Sequence, residues 1–117
     1  RSMYVMSFVA AVPTNQKDAY LAHCKAAAEI FKSHGALRVV EVWGDIVPEG
    51  ETTSYGRAVK VQAGETVVIG WQEWPDKATC DANMEKAMSD PRLDAMGEMP
   101  FDATRLIYGG FETLVDI

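Results

Sequence analysis

The chain reads as an α+β protein of the ferredoxin-like βαββαβ plan, an antiparallel sheet with its helices on one face. Three observations predict this. Residues 66–74 are β-branched and aromatic, turn polar only near their end, and stop at Pro75-Asp76, as a strand covered on both faces would. Two stretches carry apolar residues at helical spacing, and each is flanked by extended segments. The elements before and after the middle of the chain then mirror one another, as two β-α-β halves do when set antiparallel.

In chain order, residues 4–12 form a nearly continuous apolar strand. Tyr4, Met6, Phe8, Ala10 and Val12 share one face, and Val5, Ser7, Val9 and Ala11 share the other. Both faces suit burial, so this is a central strand, and Pro13 ends it. Thr14 or Asn15 is placed to cap the following helix, with Asp18 near the positive end of its dipole. That helix runs to about His34, and Gly35 supplies the left-handed residue that closes it. Tyr20, Cys24, Ala27 and Phe31 make its apolar stripe, with Lys17, Lys25, Glu29 and Lys32 off it.

Residues 37–47 read as a second strand in which Glu41, Trp43 and Asp45 share a face, so one side is expected to be wet at one end. Residues 48–54 are loop by composition. Residues 57–61 look extended, and 62–65 turn the chain, which predicts a hairpin with a four-residue loop into residues 66–74. Asp76 caps a helix to about Ser89 with Cys80, Met84, Ala87 and Met88 as its stripe. Asp90-Pro91 restarts a helical turn that Gly97 closes. Residues 104–117 are the last strand, bulged at Gly109-Gly110. Strands apolar on both faces leave one sheet face uncovered by helices, so a second copy of the chain is the expected cover.

Composition narrows the partners. The 117 residues are 48% hydrophobic and 24% charged, enough for one domain with a core, taken as residues 3–117 with Arg1-Ser2 as a cloning remnant. Seventeen acidic against 11 basic residues give a net charge of −6, and the Lys and Arg are scattered singly, which argues against nucleic acid. No apolar run reaches membrane-spanning length. Residues 3–12 lack a charged leader and a clear cleavage site, so a secretory signal is not expected; two cysteines, too few for a disulfide framework, suit a reducing cytoplasm, the expected location. Cys24 and Cys80 fall on separate helices and are expected to be free, buried thiols.

Further motifs are family-like rather than catalytic. The run Met99-Pro100-Phe101-Asp102-Ala103-Thr104-Arg105-Leu106-Ile107-Tyr108-Gly109-Gly110-Phe111 resembles the YbaA-like family of small bacterial proteins of unknown function, in the dimeric α+β barrel superfamily. The likeness extends through His34-Gly35-Ala36-Leu37, Asp45-Ile46-Val47-Pro48, Glu65-Thr66-Val67-Val68 and Ser89-Asp90-Pro91-Arg92. It departs where the family has Asp-Gly and Arg-Asp pairs and this chain has Met6-Ser7 and Cys80-Asp81, so roles of those polar residues do not carry over. The resemblance implies two chains whose sheets face each other in a barrel. It implies no activity.

No G-x-S-x-G, Walker A, G-x-G-x-x-G, H-E-x-x-H or paired C-x-x-C motif is present. His23 and His34 lie about 16 Å apart along their helix, too far to share a metal. Neither a metal nor a cofactor is predicted. The residues that point to a ligand are Arg57, Trp71, Asp81, Arg105 and Tyr108: charged groups beside apolar stripes, and aromatics able to wall a pocket. For Arg105, with Asp81 and Asp102, a structural ion pair is favoured over a ligand contact. Trp43, Trp74, Tyr55 and the methionines read first as core or interface. Two functions remain open: a homodimer binding a small apolar or aromatic molecule between sheet and helices, or a cofactor-independent monooxygenase-like enzyme, the latter by fold analogy.

Overall fold

A computed structural model describes residues 3–117. Its elements are β1 (Tyr4–Pro13), α1 (Lys17–Ser33), β2 (Arg38–Trp43), α2 (Tyr55–Ala58), β3 (Glu65–Trp74), α3 (Lys77–Met88), α4 (Pro91–Asp94) and β4 (Ile107–Glu112). The four strands form one antiparallel sheet in the order β2-β3-β1-β4. Two crossing β-α-β halves place β1 and β3 at the centre, which is the predicted ferredoxin-like plan.

The alternation of β1 decides where the core lies. Ala10 and Val12 pack with Tyr20, Cys24 and Val68, flanked by Phe8 and Trp43. Tyr4 and Met6 join Trp74, Cys80, Ala36, Phe31 and Met84. One sheet face is therefore sealed by α1 and α3. On the other face, Ala11 and Val67 are covered at one end by Val59 and Val61. Strand alternation places Val5, Val9, Val40, Val42, Ile69, Trp71, Ile107 and Phe111 on the same side, where Val42, Ile107 and Phe111 are exposed.

Helix ends follow local chemistry. At the end of α1, Ala36 N–H donates to Phe31 O and Gly35 N–H to Lys32 O, both at 3.1 Å, and Gly35 takes φ +112°. That is a Schellman closure, which needs a residue tolerant of positive φ. Asp76 caps α3 by accepting from Thr79 N at 2.8 Å, and Pro91 opens α4 behind its cap Asp90.

Several expectations are corrected. No side chain caps α1; a 3₁₀ turn, Thr14–Gln16, leads into it, and the Thr14 hydroxyl pairs with that of Thr66 at 2.7 Å. Residues 57–61 are not extended. Ser54 Oγ accepts from Arg57 N at 3.1 Å and starts α2, so β2 and β3 pair across a long connection rather than a four-residue hairpin. β2 stops at Trp43 because the chain turns at Gly44, whose N–H donates to Val67 O at 2.8 Å. β4 is confined to Ile107–Glu112 because Asp102 caps a 3₁₀ turn, Ala103–Arg105, ahead of it. Gly109-Gly110 carries no bulge: Ser7 and Met6 face them in unbroken register. Gly110 leaves room for the hydroxyl end of the Tyr4 ring, which a Cβ there would displace. Met88 leaves the α3 stripe and is exposed.

Candidate functional site

Glu41 is the residue whose position departs most from its expected surroundings. It sits on β2 between Val40 and Val42, and its partner across the strand pair is Gly70. Alternation turns Glu41 and Trp43 toward the helices, and Gly70 leaves the space: a Cβ there would meet both the Phe8 ring and a Glu41 carboxylate oxygen. From α1, Tyr20 and Cys24 lie one turn apart on the buried face. The Tyr20 hydroxyl donates to Glu41 Oε1 at 3.0 Å.

Burial sets the electrostatics of this group. Loss of water pushes the Glu41 carboxyl up to about 7, opposed by the hydrogen bond from Tyr20. Cys24 is pushed up to about 11 by burial and by the nearby carboxylate, so its thiol is not a ready nucleophile. Tyr20 is raised above the ordinary phenol range, by burial first and then by Glu41. A half-buried carboxyl that titrates near neutrality, oriented by a phenol, is equipped to exchange a hydrogen bond or a proton with a bound molecule.

A cleft of about 130 Å³ opens beside it, between Lys17, Tyr20, Leu21 and Cys24 of α1 and Glu41 and Trp43 of β2. Tyr20 and Trp43 stand with ring centroids 6.0 Å apart, tilted by 50°. Phe101 packs edge-on against Tyr20 at 5.8 Å and against His23 at 6.4 Å, backing the wall from the other side. Burial holds His23 below its usual range. Lys17 rests its ammonium 5.4 Å from the Trp43 ring centroid, at the edge of the cleft.

The five residues singled out from sequence do not line this cleft, and no hydrogen bond or ion pair joins any two of them among the described residues. Arg57 donates to Glu51 O at 2.7 Å and approaches Glu49 at 3.6 Å, which pins the connection before β3. Trp71 lies on the open sheet face and donates its Nε1 to Glu73 at 2.9 Å. Asp81 is exposed and pairs with Lys77 one helical turn away at 2.6 Å. Tyr108 is 77% exposed on β4. Arg105 grips both Glu65 oxygens at 2.6 and 2.8 Å, Asp102 at 3.0 Å and Lys60 O at 2.9 Å. That is the ion pair favoured for Arg105, although Asp81 takes no part in it. Asp102 is held at about 2, below the usual carboxylate range, first by Thr104 and then by Arg105.

His34 is likewise engaged in structure. Its Nε2 meets Asp90 at 2.7 Å, and Arg92 binds the same carboxylate and the Ser33 hydroxyl, tying the end of α1 to α4. No group of three or more His, Cys, Asp or Glu among the described residues is placed to hold a metal, and both cysteines are free and buried. No helix of the described residues is long and apolar enough to cross a membrane.

Residues 3–103 match the family described as "Protein of unknown function (DUF1428)". The chain belongs to that family. The relatives of this DUF1428 chain include the "Uncharacterized protein YbaA" of Escherichia coli K12, 51% identical over 114 residues and 97% of each chain. The protein of the same description from Shigella flexneri matches to the same extent. Among solved structures, a dimeric ferredoxin-like protein from an uncultured marine organism superposes with a TM-score of 0.55. It is 12% identical, with 100% of this chain and 98% of that one covered. Likeness at that identity shows the fold.

Proposed function

We propose that this DUF1428 protein is a homodimer that binds a small aromatic molecule in the cleft between α1 and β2. The observation that carries the binding site is the Glu41–Tyr20 pair at 3.0 Å, a polar couple in an aromatic-walled recess whose mouth carries Lys17 and Asp18. Few convergent polar groups in an apolar concavity are the usual makings of a small-molecule site. The dimer is supported by the open sheet face, where a row of apolar side chains lies uncovered by helices. In this reading Trp71 belongs to the contact between copies, and Arg105 holds the entry to β3.

A second reading, a cofactor-independent oxygenase, is favoured by one observation: the Glu41 carboxyl titrates near 7 and so suits proton removal from a phenol or quinol. One experiment separates the two. Native mass spectrometry of protein taken directly from cells reads both the dimer mass and any retained small molecule. Oxygen uptake is then followed with a panel of phenols and hydroquinones, using wild type and Glu41→Gln. Binding without turnover supports the first reading. Turnover that falls by about a hundredfold or more in Glu41→Gln supports the second. A monomer with no adduct and no binding to the panel removes both.

A further inference from the structure

We infer that the cleft takes a single-ring aromatic molecule with a hydroxyl at one end, meeting Glu41, and a carboxylate at the other, meeting Lys17. This rests on the reading of the cleft as a ligand site and adds the chemical class of its occupant. Size comes first. The recess is about 130 Å³ and half open to solvent, so a single ring, which fills an enclosed cavity of about 150 Å³, would sit in it with one edge exposed. Tyr20 and Trp43 supply flat apolar walls for such a ring, with Leu21 beside them.

The two polar ends differ in charge. At the inner end, Glu41 and Tyr20 present a carboxyl and a phenol already in contact. Whether Glu41 is ionised or neutral, a ligand hydroxyl completes its hydrogen bonding, as donor to the carboxylate or acceptor from the acid. At the outer end, Lys17 stands over Trp43 and makes no salt bridge among the described residues. An ammonium held against a ring face, without a carboxylate partner, is free to receive an anion.

Lys17 and Glu41 line the recess from α1 and β2 respectively, so a molecule seated against Trp43 has an ammonium and a carboxyl group on its borders. Asp18 is the contrary charge at the same opening. It lies about 100° round the helix from Lys17, so it opposes the ligand carboxylate without neutralising Lys17 directly. Cys24, uncharged, adds only a weak donor.

Calorimetric titration tests this with phenol, benzoate and 4-hydroxybenzoate at pH 7, on wild type, Lys17→Met, Glu41→Gln and Asp18→Asn. Lys17 and Asp18 are exposed, so these replacements leave the core intact. The expected result is 4-hydroxybenzoate binding roughly threefold to fivefold tighter than phenol, an advantage lost in Lys17→Met and enlarged in Asp18→Asn. In a further variant, Glu41→Leu, which removes both donor and acceptor, 4-hydroxybenzoate is expected to bind no better than benzoate, while Glu41→Gln keeps the preference. If phenol binds but the carboxylate adds nothing, the ligand class is overturned while the cleft remains a site. If none of the three binds wild type, the cleft reading falls and takes this inference with it.

Discussion

Glu41 contributes a pH response of its own. Its folded-state carboxyl lies at about 7 against an ordinary value of 4.5. Between those values the folded chain holds a proton that the unfolded chain has released. The stabilisation is therefore complete below about pH 4.5 and is lost as pH rises through 7. Each unit of displacement corresponds to about 1.4 kcal/mol, and partial contact with water reduces the whole to about 1–2 kcal/mol. Urea midpoints measured from pH 4.5 to 8 are expected to lose more with rising pH in wild type than in Glu41→Gln, where His23, held below its usual range, leaves a rise. Removing the phenol in Tyr20→Phe takes away the one contact that lowers the carboxyl, so its titration, followed by carboxyl NMR, moves further upward. The sequence held part of this site in view. Tyr20 and Cys24 stood on one stripe, and the shared face of Glu41 and Trp43 was readable. That face was expected to be wet at one end: Asp45 is exposed there, while Glu41 lies under α1, because alternation fixes which residues share a side but not how far the helices cover it.

At the scale of elements, Gly70 is the point where β2, β1 and the cleft meet. A methyl group added there collides with the Phe8 ring and the Glu41 carboxylate together. Gly70→Ala is expected to lower stability by about 1–3 kcal/mol, measured by urea unfolding, and to flatten the pH dependence by displacing Glu41. Strands and helices with strong periodicity were legible: β3 from its β-branched run, α1 from its stripe and Gly35, and α3 from Asp76. Residues 57–61 were not. Arg-Ala-Val-Lys-Val alternates like a strand, yet the Ser54 cap and the burial of Val59 against Ala11 and Val67 fold it into a helical turn. Gly109-Gly110 misled in the opposite sense, since close passage of the Tyr4 ring, and not a break in pairing, explains glycine at 110.

For the whole molecule, the sheet has one face closed by helices and one that invites a second sheet. Two such faces packed at about 10 Å would bury the apolar rows of β1 and β3 between them. Val9→Lys and Ile69→Lys place charges on that face without touching the helix side. Each is expected to convert a dimer to a monomer in sedimentation equilibrium, with the far-ultraviolet circular dichroism unchanged. A dimer that survives both substitutions would place the contact elsewhere.

The cleft is floored by a strand that has a hydrogen-bonded neighbour on one side only, since among the described residues β2 pairs with β3 and with no other strand. Edge strands open more readily than central ones, in local excursions that leave the remaining sheet paired. Admission of a ligand therefore does not require the core to loosen. Fraying of β2 alone would widen the gap beneath α1, and amide exchange along Arg38–Trp43 should run ahead of that in β1 and β3. A molecule seated against Trp43 would close that gap and slow the exchange, so the rhythm of one strand reports whether the cleft is occupied.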